Sequence, residues 1–182
     1  MRKRLILLVL SALAGCVAPQ PASVDPNRRP LDTLPADARL AEVEADLLAT
    51  ARERYGDARI DRALAMPDYL VAKRFVGMAP PPPPGAGADW RPPTPSALLS
   101  KQSGRWLVAT PDGWREANRE VAAELETLLA SADFWREAAT VPACPDFGAS
   151  NLLLKMPGKA RTVRSHQCSS ATTRVIEAAF RA

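Results

Sequence analysis

The chain has 182 residues, of which 47% are hydrophobic and 5% aromatic, and it contains 18 prolines and 3 cysteines. This length fits one ordinary domain with appendages and excludes a large multidomain enzyme. The formal net charge of +4 includes Arg2, Lys3 and Arg4, so a chain that loses its first residues keeps little excess positive charge. We therefore expect no nucleic-acid partner, because such partners select strongly basic surfaces.

Residues 1–16, MRKRLILLVLSALAGC, have the layout of a secretory signal. A basic start precedes an apolar run that is shorter than the stretch of about 20 residues needed to span a membrane. Within it, Leu13-Ala14-Gly15-Cys16 resembles the lipobox of bacterial lipoproteins. The resemblance implies that residues 1–15 are removed as a signal peptide and that Cys16 carries the lipid. The alternative is an ordinary signal peptide in which Cys16 is incidental.

The residue after the lipobox bears on which membrane the lipid would enter. Val17 stands where retention in the inner membrane of enteric bacteria would usually show Asp. The resemblance therefore implies the outer membrane, with the protein facing the periplasm, rather than the inner membrane. Several acyl chains on one cysteine would supply the two or more hydrophobic signals that stable anchoring requires.

Lipidation of Cys16 leaves two other cysteines, Cys144 and Cys168. An even pair in an oxidising compartment predicts one disulfide, which would stabilise the fold by roughly 3–4 kcal/mol in the chain-entropy model. The alternative is a metal site that adds Asp146 and His166 to the two cysteines. Because its spacing differs from that of structural zinc knuckles, we predict the disulfide and no metal or other cofactor.

The stretch before the Pro-rich region divides into a tether and a helical arm. Residues 16–36 are rich in proline and predict a disordered tether. Residues 37–77 predict the arm, with one helix over 37–55 and a second from Asp57 to Met66. Residues 68–77, DYLVAKRFVG, fit either a short helix or a strand. We expect the apolar stripe of the first helix to pack on the rest of the protein, and the alternative is a partner-binding stripe.

Residues 78–97 are interpreted as a Pro-rich linker. Five consecutive prolines occupy positions 80–84, and consecutive prolines favour the extended polyproline II conformation. Glycines and alanines follow and restore flexibility. The alternative function of this stretch is a docking motif for an aromatic groove.

Two hairpins and two helices are predicted in residues 98–182. The turn at Pro111-Asp112-Gly113 marks the first hairpin, and Pro157-Gly158-Lys159 marks the second. Helices follow each hairpin, and the residues expected to cap them are Asn118 for the first and Ser169 or Ser170 for the second.

The resulting order, ββαββα, predicts a disulfide-bonded α+β domain. A small four-stranded antiparallel sheet covered on one face by helices would bury the apolar stripes. This element order resembles that of the emfourin-type protease inhibitors. The resemblance implies a small sheet-and-helix fold and, as an alternative function, inhibition of a secreted or periplasmic protease.

Basic residues of the second hairpin form a candidate binding face for an anionic envelope component: Lys155, Lys159, Arg161 and Arg164. The alternative is that these residues are solvated or pack against the acidic stretch 112–138. Hairpin register decides which of the four share a face.

The sequence predicts no catalytic centre and no small-molecule substrate. There is one histidine, no nucleophile elbow surrounds Ser165 or Ser169, and the carboxylates of Glu120 and Glu124 fit a solvated helix face. We therefore predict a membrane-anchored lipoprotein that is not an enzyme. Its small domain is expected to bind or support another envelope component.

Overall fold

The residues described by the structure, a computed structural model, are 36–74, 81–85, 87, 94–141, 150–165 and 170–182. All of them belong to the unit that spans Leu34–Ala182, and none belongs to the unit formed by Met1–Thr33. In this described part of the chain, no helix is long and apolar enough to cross a membrane.

A single mixed sheet forms the centre of the protein. Within the described residues it has seven strands: β1 (Tyr69–Lys73), β2 (Ser96–Gln102), β3 (Arg105–Thr110), β4 (Gly113–Glu116), β5 (Thr140–Val141), β6 (Ser150–Met156) and β7 (Lys159–Ser165). Their order across the sheet is β4-β3-β2-β1-β6-β7-β5. Neighbouring strands are antiparallel except for the short edge strand β5, which runs parallel to β7.

Helices cover both faces of this sheet. In chain order they are α1 (Ala36–Tyr55), α2 (Asp57–Leu64), α3 (Arg119–Ala130), α4 (Ala132–Arg136) and α5 (Ala171–Arg181). One face, here named the α1–α2 face, packs Val71, Leu98 and Leu153 against the first two helices. The opposite face, the α3–α5 face, packs a larger apolar cluster that includes Leu70 and Leu99 against the last three.

Local signals at the helix ends explain why these helices start where they do. The Asn118 side chain accepts hydrogen bonds from the first-turn N–H groups of α3, and the Ser170 side chain accepts one from Thr173 N of α5. Gly56 adopts φ +82° between α1 and α2, a backbone conformation that glycine reaches without steric cost and that permits the sharp change of direction. The predicted helices and both predicted hairpins are confirmed.

The α+β class is confirmed, but the four-stranded ββαββα sheet is wrong. Strand β1, from the segment predicted as a helical arm, lies at the sheet centre and pairs with both β2 and β6. Leu70, Val71 and Ala72 are fully buried, because helices cover both faces. A strand buried on both faces reads as a continuous apolar run without alternation, so its sequence does not separate strand from helix.

The Pro-rich segment joins two neighbouring strands of this sheet. Strands β1 and β2 pair with Lys73 opposite Ser96, and Arg74 N donates a hydrogen bond to Pro95 O just beyond that pair. The residues predicted as a linker between arm and domain therefore connect adjacent strands. The expectation that the apolar stripe of α1 packs on the rest of the protein is confirmed, since Val43, Leu47 and Tyr55 are buried against the sheet.

Candidate binding cleft around Glu126

The cysteine predictions fall outside the part of the chain that the structure describes. Cys16, Cys144 and Cys168 are not among the described residues, and neither is His166. Lipidation of Cys16 and the disulfide between the other two cysteines therefore stay predictions. Among the described residues, no group of three or more histidine, cysteine or carboxylate side chains is arranged to hold a metal ion.

The four basic residues of the second hairpin do not share one face, because the register divides them between the two faces of the sheet. The hairpin turns at Pro157-Gly158, with Met156 opposite Lys159. Residues directly opposite one another share a face, and successive residues alternate. Lys159 and Arg161 consequently project on the α3–α5 face, whereas Lys155 and Arg164 project on the α1–α2 face.

Arg161 is engaged inside the protein rather than presented to a partner. Its guanidinium donates hydrogen bonds to the carbonyl oxygens of Trp135, at 2.8 Å, and Glu137, and it lies 4.9 Å from the Phe134 ring centre. Burial lowers the pKa of the Arg161 guanidinium, and the nearby Glu137 opposes that shift. Arg161 therefore holds the segment after α3 against strand β7.

The two lysines of the hairpin contact aromatic rings on opposite faces. Lys159 Nζ lies 5.0 Å from the centre of the Trp135 ring, and Lys155 Nζ lies 6.0 Å from the centre of the Tyr69 ring. Such cation–π contacts are worth about 0.5–1 kcal/mol at exposed sites. Both charges thus contribute to local packing while remaining near the surface.

A carboxylate on α3, Glu126, is the centre of a cluster that joins three elements. One of its oxygens, Oε1, accepts hydrogen bonds from Lys101 Nζ and from Trp106 Nε1, each at 2.6 Å. Lys101 and Trp106 lie opposite one another on β2 and β3, so the hairpin register aims the ammonium and the indole N–H at the same point. Both bonds are charge-assisted and are stronger than bonds between neutral groups.

The position of Glu126 on its helix keeps part of the carboxylate accessible. Leu125 and Leu129 are the buried residues of α3, and Glu126 follows Leu125 at the border between that apolar stripe and solvent. The Glu126 side chain is 40% exposed. Its second oxygen, Oε2, has no hydrogen-bond partner among the described residues.

Two grooves meet at Glu126. The first has a volume of about 470 Å³ and is lined by Trp106, Ala122 and Ala123 together with the charged residues Arg105, Glu116 and Arg119. The second has a volume of about 230 Å³ and is lined by Leu129, Trp135, Met156 and Lys159. The two grooves together are named the Glu126 cleft.

The Glu126 cleft combines apolar contact area with charges of both signs. Small and aromatic side chains form its walls, a carboxylate oxygen lies at its middle, and arginine and lysine side chains border its ends. Binding sites of this kind take their affinity from the apolar walls and their orientation from a few polar groups. An extended segment with apolar side chains and a hydrogen-bond donor matches this arrangement.

Sequence reasoning missed the Glu126 cleft because its lining residues come from six separate elements, β3, β4, α3, α4, β6 and β7. The neighbouring acids Glu120 and Glu124 are predicted to be solvated, and Glu124 accepts a hydrogen bond from Arg181 Nη2 at 2.7 Å. Only the strand register brings Lys101 and Trp106 to Glu126. One sequence signal for this site is Trp106, because the indole N–H of a buried tryptophan usually needs a hydrogen-bond acceptor.

A further groove of about 400 Å³ lies on the α1–α2 face, lined by Glu44, Tyr69, Lys155 and Thr162 among others. Burial raises the pKa of the Tyr69 hydroxyl, and the carboxylate of Glu44 raises it further. Thr162 Oγ1 donates to Glu44 Oε2 at 3.4 Å, so one of the two acids that line this groove, Glu44, is engaged within the protein; the other is Asp37.

Comparison with protein-family models, with curated proteins and with solved structures finds no match for this chain.

Proposed function

We propose that this protein is a lipid-anchored binding protein on the periplasmic face of the outer membrane, and that its domain binds another envelope protein through the Glu126 cleft. The basic start, the apolar run and Leu13-Ala14-Gly15-Cys16 occur in the order that a lipoprotein signal requires,. Lipid on Cys16 would hold the domain at the membrane. The proposal makes the protein a binding module rather than an enzyme.

The observation that carries the binding proposal is the Glu126 oxygen, Oε2, which has no hydrogen-bond partner among the described residues and lies where the two grooves meet. A carboxylate oxygen beside buried apolar surface gains most from a charged or N–H donor that arrives with its own apolar neighbours. An extended peptide segment with a lysine or arginine among apolar residues supplies both. Arg119, which lines the first groove, adds a donor for the carbonyl groups of that segment, whereas Arg105 is paired with Glu116 at 3.0 Å.

We also propose a disulfide between Cys144 and Cys168. Once Cys16 carries the lipid, these two cysteines are the even pair that remains, and paired cysteines in an oxidising compartment are normally joined.

Anchoring is tested by mass spectrometry of protein extracted from the membrane. We expect a mass that lacks residues 1–15 and carries acyl chains on Cys16, and we expect Cys16→Ser to release the protein into the soluble fraction. An unmodified Cys16 in the mature protein, or an intact Met1, would contradict the anchoring proposal and leave the binding proposal standing.

Binding through the cleft is tested with two matched substitutions at exposed helical alanines. Ala123→Arg places a large side chain in the first groove, whereas Ala58→Arg places the same side chain on α2, on the opposite face. With the soluble Cys16→Ser form as bait, we expect an envelope protein to be retained by the Ala58→Arg form and lost at least tenfold by the Ala123→Arg form. Equal retention by both would contradict the cleft as the binding site. Retention of a protease that the bait also inhibits would favour the alternative function, protease inhibition.

A further inference from the structure

The connection between β1 and β2 is far longer than the sheet requires. Lys73 and Ser96 lie opposite one another, and the hydrogen bond from Arg74 N to Pro95 O, at 3.0 Å, closes the base of residues 74–95. Loops between hairpin strands usually have about 2–5 residues. Because the two strands are neighbours, the described residues at both ends of this connection belong to one sheet.

In the described part of the connection between β1 and β2, consecutive prolines are exposed to solvent. Pro81, Pro82, Pro83 and Pro84 are all exposed, as is Gly85. The proline ring fixes φ near −65°, and a residue that precedes proline is excluded from the helical region. Pro81 to Pro83 each precede another proline, which restricts them to extended backbone of the polyproline II type. A turn at Pro84-Gly85, with Gly85 at φ +86°, ends this extended stretch.

The chemistry of such a run selects one kind of partner. Its prolines have no N–H groups, so the backbone offers only carbonyl acceptors, and the rings form apolar ridges. Since the conformation is fixed before binding, little conformational entropy is lost on contact. Grooves that recognise this shape are lined with aromatic side chains and supply hydrogen-bond donors to the carbonyl groups.

We propose that residues 81–85 form a docking segment for an aromatic-lined groove on a protein partner, presented on a loop whose base is closed by the sheet. The Glu126 cleft is bordered by Gly104 and Met156 at the opposite end of the sheet from this loop. The docking segment is therefore a second contact surface, and it does not depend on the cleft being the site of the proposed function.

The test uses photo-crosslinking in cells that contain the full-length protein. In one variant, benzoylphenylalanine replaces Gly87, which is exposed and has open space around the position of an added Cβ atom. In the control variant, the same residue replaces Asp112 at an exposed hairpin turn. A synthetic ten-residue polyproline peptide and a glycine-serine peptide of equal length serve as competitors in isolated envelopes. We expect a discrete adduct from position 87 only, reduced at least fivefold by the polyproline peptide and unaffected by the glycine-serine peptide.

A combined Pro82→Ser and Pro83→Gly variant provides an independent arm. Because these residues lie outside the sheet, we expect the thermal midpoint to stay the same and the adduct from position 87 to fall at least fivefold. No adduct from position 87, or an adduct that polyproline peptide does not reduce, would overturn the proposal. If the Ala123→Arg variant fails to retain its envelope partner but still forms the adduct from position 87, the docking segment and the Glu126 cleft are independent contact surfaces.

Discussion

The helix layers on the two faces of the sheet differ in the size of their apolar clusters and in the number of buried polar groups that lack a hydrogen-bond partner. On the α3–α5 face, the apolar cluster is the larger one and includes the fully buried Phe134 and Leu125. On the α1–α2 face, polar side chains lie among the apolar ones. Four of the five buried polar side-chain atoms without a hydrogen-bond partner in the described residues belong to strand positions on this face: Ser96 Oγ, Ser100 Oγ, Gln102 Nε2 and Asn151 Oδ1.

This difference indicates that the α1–α2 layer is the weaker of the two. A buried polar group without a partner costs about 1–3 kcal/mol, and that cost is recovered when the layer opens to water. Polar contacts between this layer and the sheet oppose its opening: among them, Lys73 Nζ pairs with Asp46 at 2.8 Å and Tyr55 Oη donates to Ser96 O at 2.6 Å. We expect the α1–α2 layer to open first while the central strand that follows it stays in the sheet.

The largest expected effect comes from cutting the chain within the Pro-rich loop. A fragment of residues 96–182 lacks β1, which leaves the inner edges of β2 and β6 unpaired and exposes the residues that Leu70 and Val71 cover on both faces. We expect this fragment to show no cooperative unfolding transition by circular dichroism. Addition of a second fragment, residues 36–74, should restore it. A fragment 96–182 that unfolds cooperatively by itself would show that β1 is dispensable.

Adjacent leucines on β2 provide a matched comparison of the two faces. Leu98 and Leu99 are both fully buried, the first on the α1–α2 face and the second on the α3–α5 face. Replacement of a buried leucine by alanine costs about 2–5 kcal/mol, depending on how far the site can collapse. In urea unfolding, we expect Leu99→Ala to lower the free energy of unfolding by an amount near the upper end of this range, and Leu98→Ala by an amount near its lower end. Equal costs, or the reverse order, would contradict unequal layers.

Glu137 tests what holds α5 over the stronger face. Its carboxylate accepts hydrogen bonds from Ala171 N at 3.1 Å and from Thr172 N at 2.9 Å, at the first turn of α5, and also from Thr172 Oγ1. Glu137→Gln keeps the size but removes the charge, and bonds to charged groups are worth roughly 1.5–3 kcal/mol. We expect a loss of about 2 kcal/mol by the same principle in urea unfolding, against less than about 0.5 kcal/mol for the exposed control Glu53→Gln.

Alkaline pH should weaken the α1–α2 layer in particular, because both tyrosines of the chain lie on that face. Burial raises the pKa of Tyr55 and of Tyr69 above the ordinary value of 10.0. The unfolded tyrosines ionise first, so their contribution to stability is fully present below about pH 10 and is lost as the pH rises through the folded pKa. Unfolding titrations from pH 8 upward should show this fall.

The variant Tyr55→Phe distinguishes the contribution of Tyr55 from that of Tyr69 to the loss of stability at alkaline pH. It removes the hydrogen bond to Ser96 O, so we expect a loss of about 1 kcal/mol at neutral pH, together with a shallower fall of stability above pH 10. A variant with the same alkaline slope as the parent protein would contradict the assignment of that slope to Tyr55.

The parts of the fold that sequence predicts are those specified by neighbouring residues. Asn118 and the Pro157-Gly158 turn act within a few residues of themselves, so the cap and the hairpin are predictable,. The central place of β1 depends on pairing with β6, far along the chain, and no local pattern carries that information. The Glu126 cleft requires α3 to pack against both the β2–β3 hairpin and the β6–β7 hairpin, which is why the sequence does not predict its residues as a site.

The unequal strength of the two layers is tested most directly by hydrogen exchange of the full soluble chain, made with Cys16→Ser. The amides of α1 and α2 should exchange at a lower opening free energy than those of α3 and α5, while the amides of β1 should keep the protection of the sheet. Equal protection of all four helices would contradict the claim that the α1–α2 layer opens first. Loss of β1 protection together with α1 and α2 would contradict the claim that the central strand stays in place when the layer lifts.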